Sequence, residues 1–283
     1  MTEANVTVHD GIYRRCIMTS AGQQLLMLLR QKRIILATSI SFVPILIPLA
    51  LAFLSIGRYG NNGQDVFVQI IENIYVRAMA PLLALFFGSM LVGEDVEMQT
   101  IPYILTRPAP RSAWVLGKFA AYLMVTSGIL ATSIVLTFAA CTALGGLEVN
   151  AASMKLLSEY ISVDLFALWV HGALCTLLGA LVKRPVVFGV VILFGWQRIA
   201  TIVPGVVDFL TIEKYITTLL PPLAMVREAK IMKWFGLDFP KQEYIISNYR
   251  ATLTLLILIV AFLGFASHVV RRREYSSARA MGS

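Results

Sequence analysis

Apolar and polar residues are segregated into long blocks along this chain. Six apolar blocks are each long enough to cross roughly 30 Å of hydrocarbon as a helix that rises about 1.5 Å per residue. The apolar residues are continuous within each block, which predicts helices and not the alternating strands of a barrel. The expected fold is an all-α polytopic membrane protein, a single transmembrane domain over residues 1–283. Its six predicted spans are 34–54, 74–93, 117–144, 161–182, 186–206 and 251–270.

Three polar stretches adjoin these blocks. Residues 12–33 mix leucines and isoleucines with arginines and glutamines, which predicts an amphipathic helix in the membrane interface. This helix is either a plain anchor for the first span or a docking surface. Residues 94–112 separate the second and third blocks. Residues 207–250 separate the fifth and sixth, and most of their aromatic side chains suit an interfacial belt.

Composition and charge support an integral membrane protein. Hydrophobic residues make up 58% of the chain and charged residues only 14%, unlike a soluble domain. The net charge of +8 is explained by anchoring next to anionic membrane lipid, so no nucleic-acid partner is expected. Cys16 precedes the first span while Cys141 and Cys175 lie within spans, so no disulfide is expected. A cleavable signal peptide is not expected either, because the first ten residues carry acids and no basic start.

The distribution of lysine and arginine predicts the orientation. Basic residues concentrate before the first span, in 94–112, at 183–184 and after the last span. The loops after the first and third spans carry few of them. Both termini are therefore expected in the cytoplasm. Residues 207–250 are expected outside, because their six basic residues are nearly cancelled by five acidic ones.

Signatures of catalysis are missing from the sequence. It contains no HExxH, no GxSxG and no aspartate-rich pair of the kind that binds magnesium. A GxxxxGK[ST] phosphate loop is also missing, so this chain is not expected to be an enzyme or to hydrolyse ATP by itself. No metal or cofactor is expected on it.

Four polar residues within the spans are candidates for a transport pathway or for structural roles. Arg198 in the fifth span either lines a polar cavity or snorkels to the interface, since an intramembrane charge is costly. His171 is a pathway candidate, although a packing role is the more ordinary one for a lone intramembrane histidine. Arg77 and Asp164 are expected near the outer surface, in interfacial positions.

Two prolines interrupt the first span. Pro44 and Pro48 each remove an intrahelical hydrogen bond, which predicts a kink or loosened face. A kinked helix can act as a hinge, so both prolines are candidate pathway elements.

Residues 94–112 carry the strongest functional signal. Acids follow the second span, and Thr100 is placed to cap a short helix whose first turn tolerates Pro102. Arg107 must be extended before Pro108, and Ser112 is expected to cap the third span. A short cytoplasmic helix with an apolar centre and charges of both signs suits a docking surface for another protein. The predicted docking residues are Glu94, Asp95, Glu97, Thr100, Tyr103, Arg107 and Arg111.

This segment resembles the region between the second and third spans of ABC-2-type transporter permeases. The residues that carry the resemblance are the acids, Thr100, Tyr103-Ile104-Leu105, Arg107-Pro108, Arg111 and Gly117-Lys118. Gln99 stands where that family usually has glycine. The likeness also covers the six spans, the amphipathic N-terminal helix and the long segment between spans five and six.

The resemblance implies the permease subunit of an ATP-driven transporter, expected to be an exporter in a prokaryotic cytoplasmic (inner) membrane. Such a subunit pairs with a second copy or a paralogue. A separate P-loop ATPase subunit, which binds ATP and magnesium, would dock on 12–33 and 94–112. By the same resemblance, residues 207–250 would form short helices that cap the outer end of the pathway.

Two other functions fit parts of the sequence. An ion-coupled secondary transporter needs titratable groups near the membrane midplane, for which His171 and Arg198 are the candidates, and usually an inverted repeat, which is not visible here. A non-transporting scaffold for an assembly or motility complex can share the same architecture. If the chain transports, its apolar spans favour lipid-like or amphiphilic cargo.

Overall fold

The computed structural model describes residues 2–54, 63–97, 110–202, 206–221, 231–234, 237–240 and 246–272. These residues form long helices, a few short helical elements and one short hairpin. Helix α1 is Thr2–Arg30. Helix α2 (32–54) consists of Lys32–Phe42 and Leu46–Leu54, joined by a 3-10 turn at Val43–Ile45.

Helix α3 (63–97) contains two π-helical segments, Ile71–Met79 and Ala84–Gly88, between α-helical parts at Gly63–Ile70, Ala80–Leu83 and Met90–Glu97. Helices α4 and α5 are regular, at Arg111–Gly145 and Ala151–Leu181. Helix α6 (185–202) again has a π-helical centre, with parts Pro185–Val190, Val191–Trp196 and Gln197–Ile202.

The region between α6 and the last helix contains short elements. A 3-10 turn at Val206–Leu210 is followed by α7, Ile212–Leu219. The predicted short helices are thus present in the first part of this region. Strands β1 (Ile231–Trp234) and β2 (Leu237–Pro240) then form an antiparallel hairpin in which Ile231 pairs with Pro240, a departure from the expected all-helical segment. The last helix, α8, is Asn248–Arg272.

Within the part of the chain that the structure describes, five helices are long and apolar enough to cross a membrane, as expected for a polytopic membrane protein. They are Ile34–Leu54, Gly63–Glu94, Ser112–Gly145, Ala151–Leu181 and Asn248–Arg272. The fifth predicted span coincides with α6, whose apolar part, Pro185–Trp196, is shorter than these five.

Two helices begin about three turns before their apolar blocks. Helix α3 starts at Gly63 and α5 at Ala151, whereas the predicted spans start at 74 and 161. Polar residues dilute the apolar signal there, yet Phe67 packs edge-on against both Phe138 of α4 and Tyr160 of α5, with ring centroids 5.3 and 6.1 Å apart. The start of α5 is set by a capping box between Asn150 and Ser153, invisible to hydropathy.

Helices α3 and α5 form the centre of the bundle. Of the residues in their most apolar stretches, 72% and 67% are buried, against 22% for α2 and for α8. Glycines allow the central pair to approach closely, as is common between membrane helices. A Cβ placed on Gly179 would lie only 2.5 Å from the carbonyl oxygen of Ser89.

The two ends of the bundle are defined by contacts between helices. At one end α1 meets the start of α4, Lys118 of α4 reaches Leu91 of α3, and Gly93 of α3 lies against Pro185 of α6. We call this the basic end. At the opposite end Gly63 of α3 lies against the carbonyl of Gly145, and α7 packs on α5 and α8.

Candidate coupling junction and buried polar layer

Helix α1 is fastened along the first two turns of α4 at the basic end. The Tyr13 hydroxyl donates to Ser112 Oγ at 3.3 Å, and the Ser20 hydroxyl donates to the carbonyl oxygen of Trp114 at 3.0 Å. Ser112 was expected to cap α4. That prediction is wrong, because Pro110 occupies the N-cap position with no side-chain cap and Ser112 binds α1 instead.

Gly117 lets α1 and α4 come this close. A Cβ at this position would lie 2.5 Å from Ser20 Oγ and 2.6 Å from the carbonyl oxygen of Ile17. Any side chain at residue 117 would therefore push the two helices apart. The contact gives a physical reason for the glycine of the Gly117-Lys118 pair.

Lys118 ties α4 to α3. Its Nζ donates to the carbonyl oxygen of Leu91 at 2.9 Å and lies 4.6 Å from the ring centroid of Trp114. The side chain is buried, with 9% of the residue exposed. An ammonium group near the C-terminal end of a helix is favoured by the helix dipole, and the indole face adds a cation–π attraction. We name the set Tyr13, Ser20, Leu91, Ser112, Trp114, Gly117 and Lys118 the coupling junction.

The predicted docking residues that the structure describes adjoin this junction on both sides. Glu94 lies half-buried in the last part of α3, and the backbones of Asp95 and Glu97 continue that helix. Arg111 is the first residue of α4. Thr100, Tyr103 and Arg107 lie outside the described residues.

A layer of buried polar side chains lies within the spans, nearer the opposite end. The Tyr75 hydroxyl of α3 is 2.6 Å from Ser133 Oγ and 2.8 Å from Thr137 Oγ1, both on α4. The Ser133 hydroxyl in turn donates to the backbone carbonyl of Ser41 in α2. All four residues are buried.

The Pro44 break explains why the Ser41 carbonyl receives this bond. Pro44 lies in the 3-10 turn at Val43–Ile45, so the predicted interruption of the first span is present. The regular pattern of backbone hydrogen bonds is altered around a proline, which leaves carbonyl groups that need other donors. Ser133 supplies one of these donors from the neighbouring helix.

Counting protons sets the direction of one of these contacts. The Ser133 proton goes to the Ser41 carbonyl, because a carbonyl can only accept. The Thr137 hydroxyl also lies 3.0 Å from the backbone carbonyl oxygen of Ser133, so its proton goes to that carbonyl or to Tyr75, and the single Tyr75 proton goes to Ser133 or to Thr137. The result is a chain of hydrogen bonds from Thr137 through Tyr75 and Ser133 to Ser41, which joins three spans.

Two further contacts join the helices at the opposite end. The Tyr160 hydroxyl of α5 donates to Glu72 Oε1 of α3 at 3.1 Å. Arg77 Nε of α3 lies 3.2 Å from Glu213 Oε1 of α7, without the alignment of a hydrogen bond, so this attraction is chiefly coulombic. A guanidinium Nη of Arg77 also donates to Asn73 Oδ1 at 3.0 Å. Glu72, Asn73, Tyr75 and Arg77 all belong to the π-helical segment Ile71–Met79, the kind of distortion that often marks functional positions.

His171 is buried and hydrogen bonded on both sides of its ring. Its Nδ1 lies 2.6 Å from the carbonyl oxygen of Ala167 and must carry the proton, since a carbonyl only accepts. Nε2 is then the acceptor for the Gln197 amide of α6 at 3.4 Å. This arrangement links α5 to α6 and matches the packing role expected for a lone histidine. The next residue, Arg198, lies in α6 and its side chain is outside the described set.

Asp164 was expected in an interfacial position near the outer surface, and the structure shows it enclosed by the helix bundle. Its residue is 0% exposed, and neither carboxylate oxygen has a hydrogen-bond partner among the described residues. Hydropathy did not reveal this position, because one acid in a 31-residue apolar helix changes the average little. Among the described residues, no group of three or more His, Cys, Asp or Glu side chains is arranged to hold a metal ion.

Long apolar helices around a buried core, with a polar junction between α1, α3 and α4 at one end, are typical of a polytopic membrane protein. Comparison with known families gives its class. Residues 26–196, more than half of the chain, match the family described as ABC-2 family transporter protein, and the chain belongs to that family. No curated protein matches the chain.

Proposed function

We propose that this chain is the membrane-spanning subunit of an ATP-driven exporter, and that it dimerises and is driven by a separate P-loop ATPase bound at the basic end. Membership of the ABC-2 transporter family supports a permease-type subunit. The distribution of basic residues supports a cytoplasmic location for this end, in a prokaryotic cytoplasmic membrane.

The observation that carries the proposal is the coupling junction. It joins the two helices that flank residues 98–109 to each other, through Lys118 and Leu91, and to α1, through Ser20 and Gly117. A force applied by an ATPase to Glu94, Asp95, Glu97, Thr100, Tyr103, Arg107 or Arg111 would therefore reach three helices. In this proposal α1 is a docking and transmission element as well as an anchor.

Helix α4 can transmit motion of the coupling junction to the first span. Helix α4 carries Lys118 at the basic end and Ser133 four turns further along, and Ser133 donates to the Ser41 carbonyl beside the Pro44 break. Tilting of α4 would therefore displace the part of α2 before Pro44 more than the part after it. Pro44 is the hinge in this proposal, and the buried Pro48 softens the next turn.

An open apolar groove supports amphiphilic or lipid-like cargo. It lies between the second part of α2 and the end of α4, with a volume of about 870 Å³. Its lining is apolar throughout: Leu46, Leu49, Ala50, Ala52, Phe53, Ala143 and Leu144. Cargo with an acyl or similar apolar part would gain burial there without the desolvation of charged groups. ATP and magnesium would bind on the partner ATPase and not on this chain.

The test is recovery of a complex. The chain carries an affinity tag and is co-expressed with a candidate P-loop ATPase, and the two are purified in mild detergent. A charge-reversed variant, Glu97→Lys with Arg107→Glu, should no longer co-purify with the ATPase. Each new side chain would repel the charged group on the ATPase that pairs with the native side chain. A matched reversal at the opposite end, Glu148→Lys with Lys155→Glu, should recover it at the wild-type level.

Equal recovery with both double variants would overturn the assignment of the docking surface. The purified protein also distinguishes the two alternative functions, a secondary transporter and a non-transporting scaffold. A secondary transporter would be purified without a stoichiometric ATPase. A non-transporting scaffold would bind one, but cargo would not stimulate its vanadate-sensitive hydrolysis.

A further inference from the structure

Asp164 is a buried acid that the coupling mechanism does not use. It lies 13 residues into α5, roughly 20 Å from the start of the helix at about 1.5 Å per residue. It is 0% exposed, and no described residue donates a hydrogen bond to either oxygen. An ionised carboxylate in such a place is far more costly than a neutral acid.

The neighbouring hydroxyl groups are already committed. Tyr75 and Tyr160 both lie within electrostatic range of Asp164. The Tyr75 proton is used in a bond to Ser133 or Thr137, and the Tyr160 proton is donated to Glu72. Neither tyrosine therefore has a proton left to stabilise a negative charge on Asp164.

The described cations of the surrounding helices do not neutralise it either. Arg77 of α3 is paired with Glu213, and Arg250 of α8 is exposed at the first turn of its helix. Lys155 is paired with Glu159 on the exposed side of α5 itself. The other titratable groups on the helices packed against this part of α5 are Glu72, Cys141, Lys214, Tyr215 and Tyr249.

We propose that Asp164 is a proton-binding site within the spans, and that the packed conformation described here is its proton-bound state. The neutral acid suits the dry contact between α3, α4 and α5. When α5 separates from α3, water reaches the carboxyl group, its O–H bond breaks and the proton passes to water. The exposed carboxylate then resists return to the packed state until it binds a proton again.

Infrared spectroscopy of the purified chain tests the site directly, without any partner protein, so its outcome is independent of the proposed ATPase. The chain is prepared with aspartate carrying carbon-13 in the side-chain carboxyl group. We expect a C=O stretching band of a protonated acid at neutral pH that shifts with the isotope. The band should be absent in Asp164→Asn and retained in Asp65→Asn, whose aspartate is exposed in the first turn of α3. Lack of an isotope-sensitive band in the wild-type chain would overturn the proposal.

Proton release on unfolding is the second measurement, and it needs no assumption about how Asp164→Asn packs. The folded chains are unfolded with dodecyl sulfate at neutral pH in weakly buffered solution containing a pH indicator. If the packed state holds the proton, the wild-type chain and Asp65→Asn each release one proton more than Asp164→Asn, because only their unfolded chains lose it. Equal release from all three would contradict a proton bound at Asp164.

Discussion

The Tyr75 hydroxyl lies 2.6 Å from Oγ of Ser133, although 58 positions separate the two residues along the chain. The contact joins the π-helical part of α3 to the middle of α4, and through Ser133 it reaches the backbone of α2. Three spans are thereby held by one chain of hydrogen bonds next to the break at Pro44. Loss of this chain of hydrogen bonds should weaken the packing of all three spans.

Tyr75→Phe deletes the central hydroxyl and keeps the ring. Thr137 and Ser133 then each lose a partner in a buried place, where a lost hydrogen bond costs about 0.5–2 kcal/mol. We expect a lower thermal unfolding temperature of the purified protein in detergent. Tyr249→Phe is the matched control, since Tyr249 is 76% exposed. The hydrogen-bond chain has no stabilising role if both variants unfold at the same temperature.

Gly117→Leu should detach α1 from α4. The new side chain would occupy the space of Ser20 Oγ and the Ile17 carbonyl. In a Cys16→Ser background, Tyr13→Cys and Ser112→Cys can be joined by a short thiol cross-linker, because the native side chains meet at 3.3 Å. We expect the cross-linking yield to fall several-fold with Gly117→Leu. A Cβ on the exposed Gly128 of the same helix would meet nothing within 4 Å, so Gly128→Leu should leave the yield unchanged. A fall with both variants would mean that the whole of α4 is disturbed.

Gly179→Ala probes the close contact between α3 and α5. Its Cβ would lie 2.5 Å from the backbone oxygen of Ser89, an atom that cannot move without shifting the helix. Overpacking of this kind costs about 1–3 kcal/mol. Gly264→Ala in α8 meets nothing within 4 Å and should instead stabilise by about 0.5–1 kcal/mol through helix propensity. Unfolding in dodecyl sulfate measures both, and a neutral Gly179→Ala would contradict the described packing.

The ion pair between Arg77 and Glu213 should fasten α7 to α3. A double-mutant cycle with Arg77→Gln and Glu213→Gln is expected to give a coupling of about 0.5–1 kcal/mol, because Glu213 is nearly buried. The same cycle on Lys155 and Glu159, which are 3.8 Å apart and largely exposed, should give a value near zero. Equal coupling in the two cycles would show that burial of Glu213 does not matter.

The fold could be predicted from the sequence as far as local signals reach. The first span was placed at 34–54, where the helix lies, and Pro44 indicated its break. The starts of α3 and α5 were missed because their first turns are polar on one side. Burial of Phe67 against α4 and α5 depends on tertiary packing, which hydropathy along one segment does not record.

The candidate site was predictable only in part for the same reason. Gly117 and Lys118 were noticed as a pair, but the partners that explain them, Ser20 and Leu91, are 97 and 27 positions away. Asp164 was placed near the surface from its distance to the end of an apolar block. Helix α5 begins ten residues before the predicted span, and Asp164 is buried by packing between helices, which the hydropathy of one segment does not record.

Hydrogen exchange in the complex of this chain with its ATPase tests the central claim, that ATP hydrolysis on a partner moves these spans. Exchange of the amides around Pro44 is compared before and after trapping with ATP, magnesium and vanadate. The proposal predicts that trapping changes exchange in the peptide that covers residues 38–48, and that ADP alone does not. Identical exchange throughout 32–54, 63–97 and 111–145 in a complex that hydrolyses ATP would contradict it.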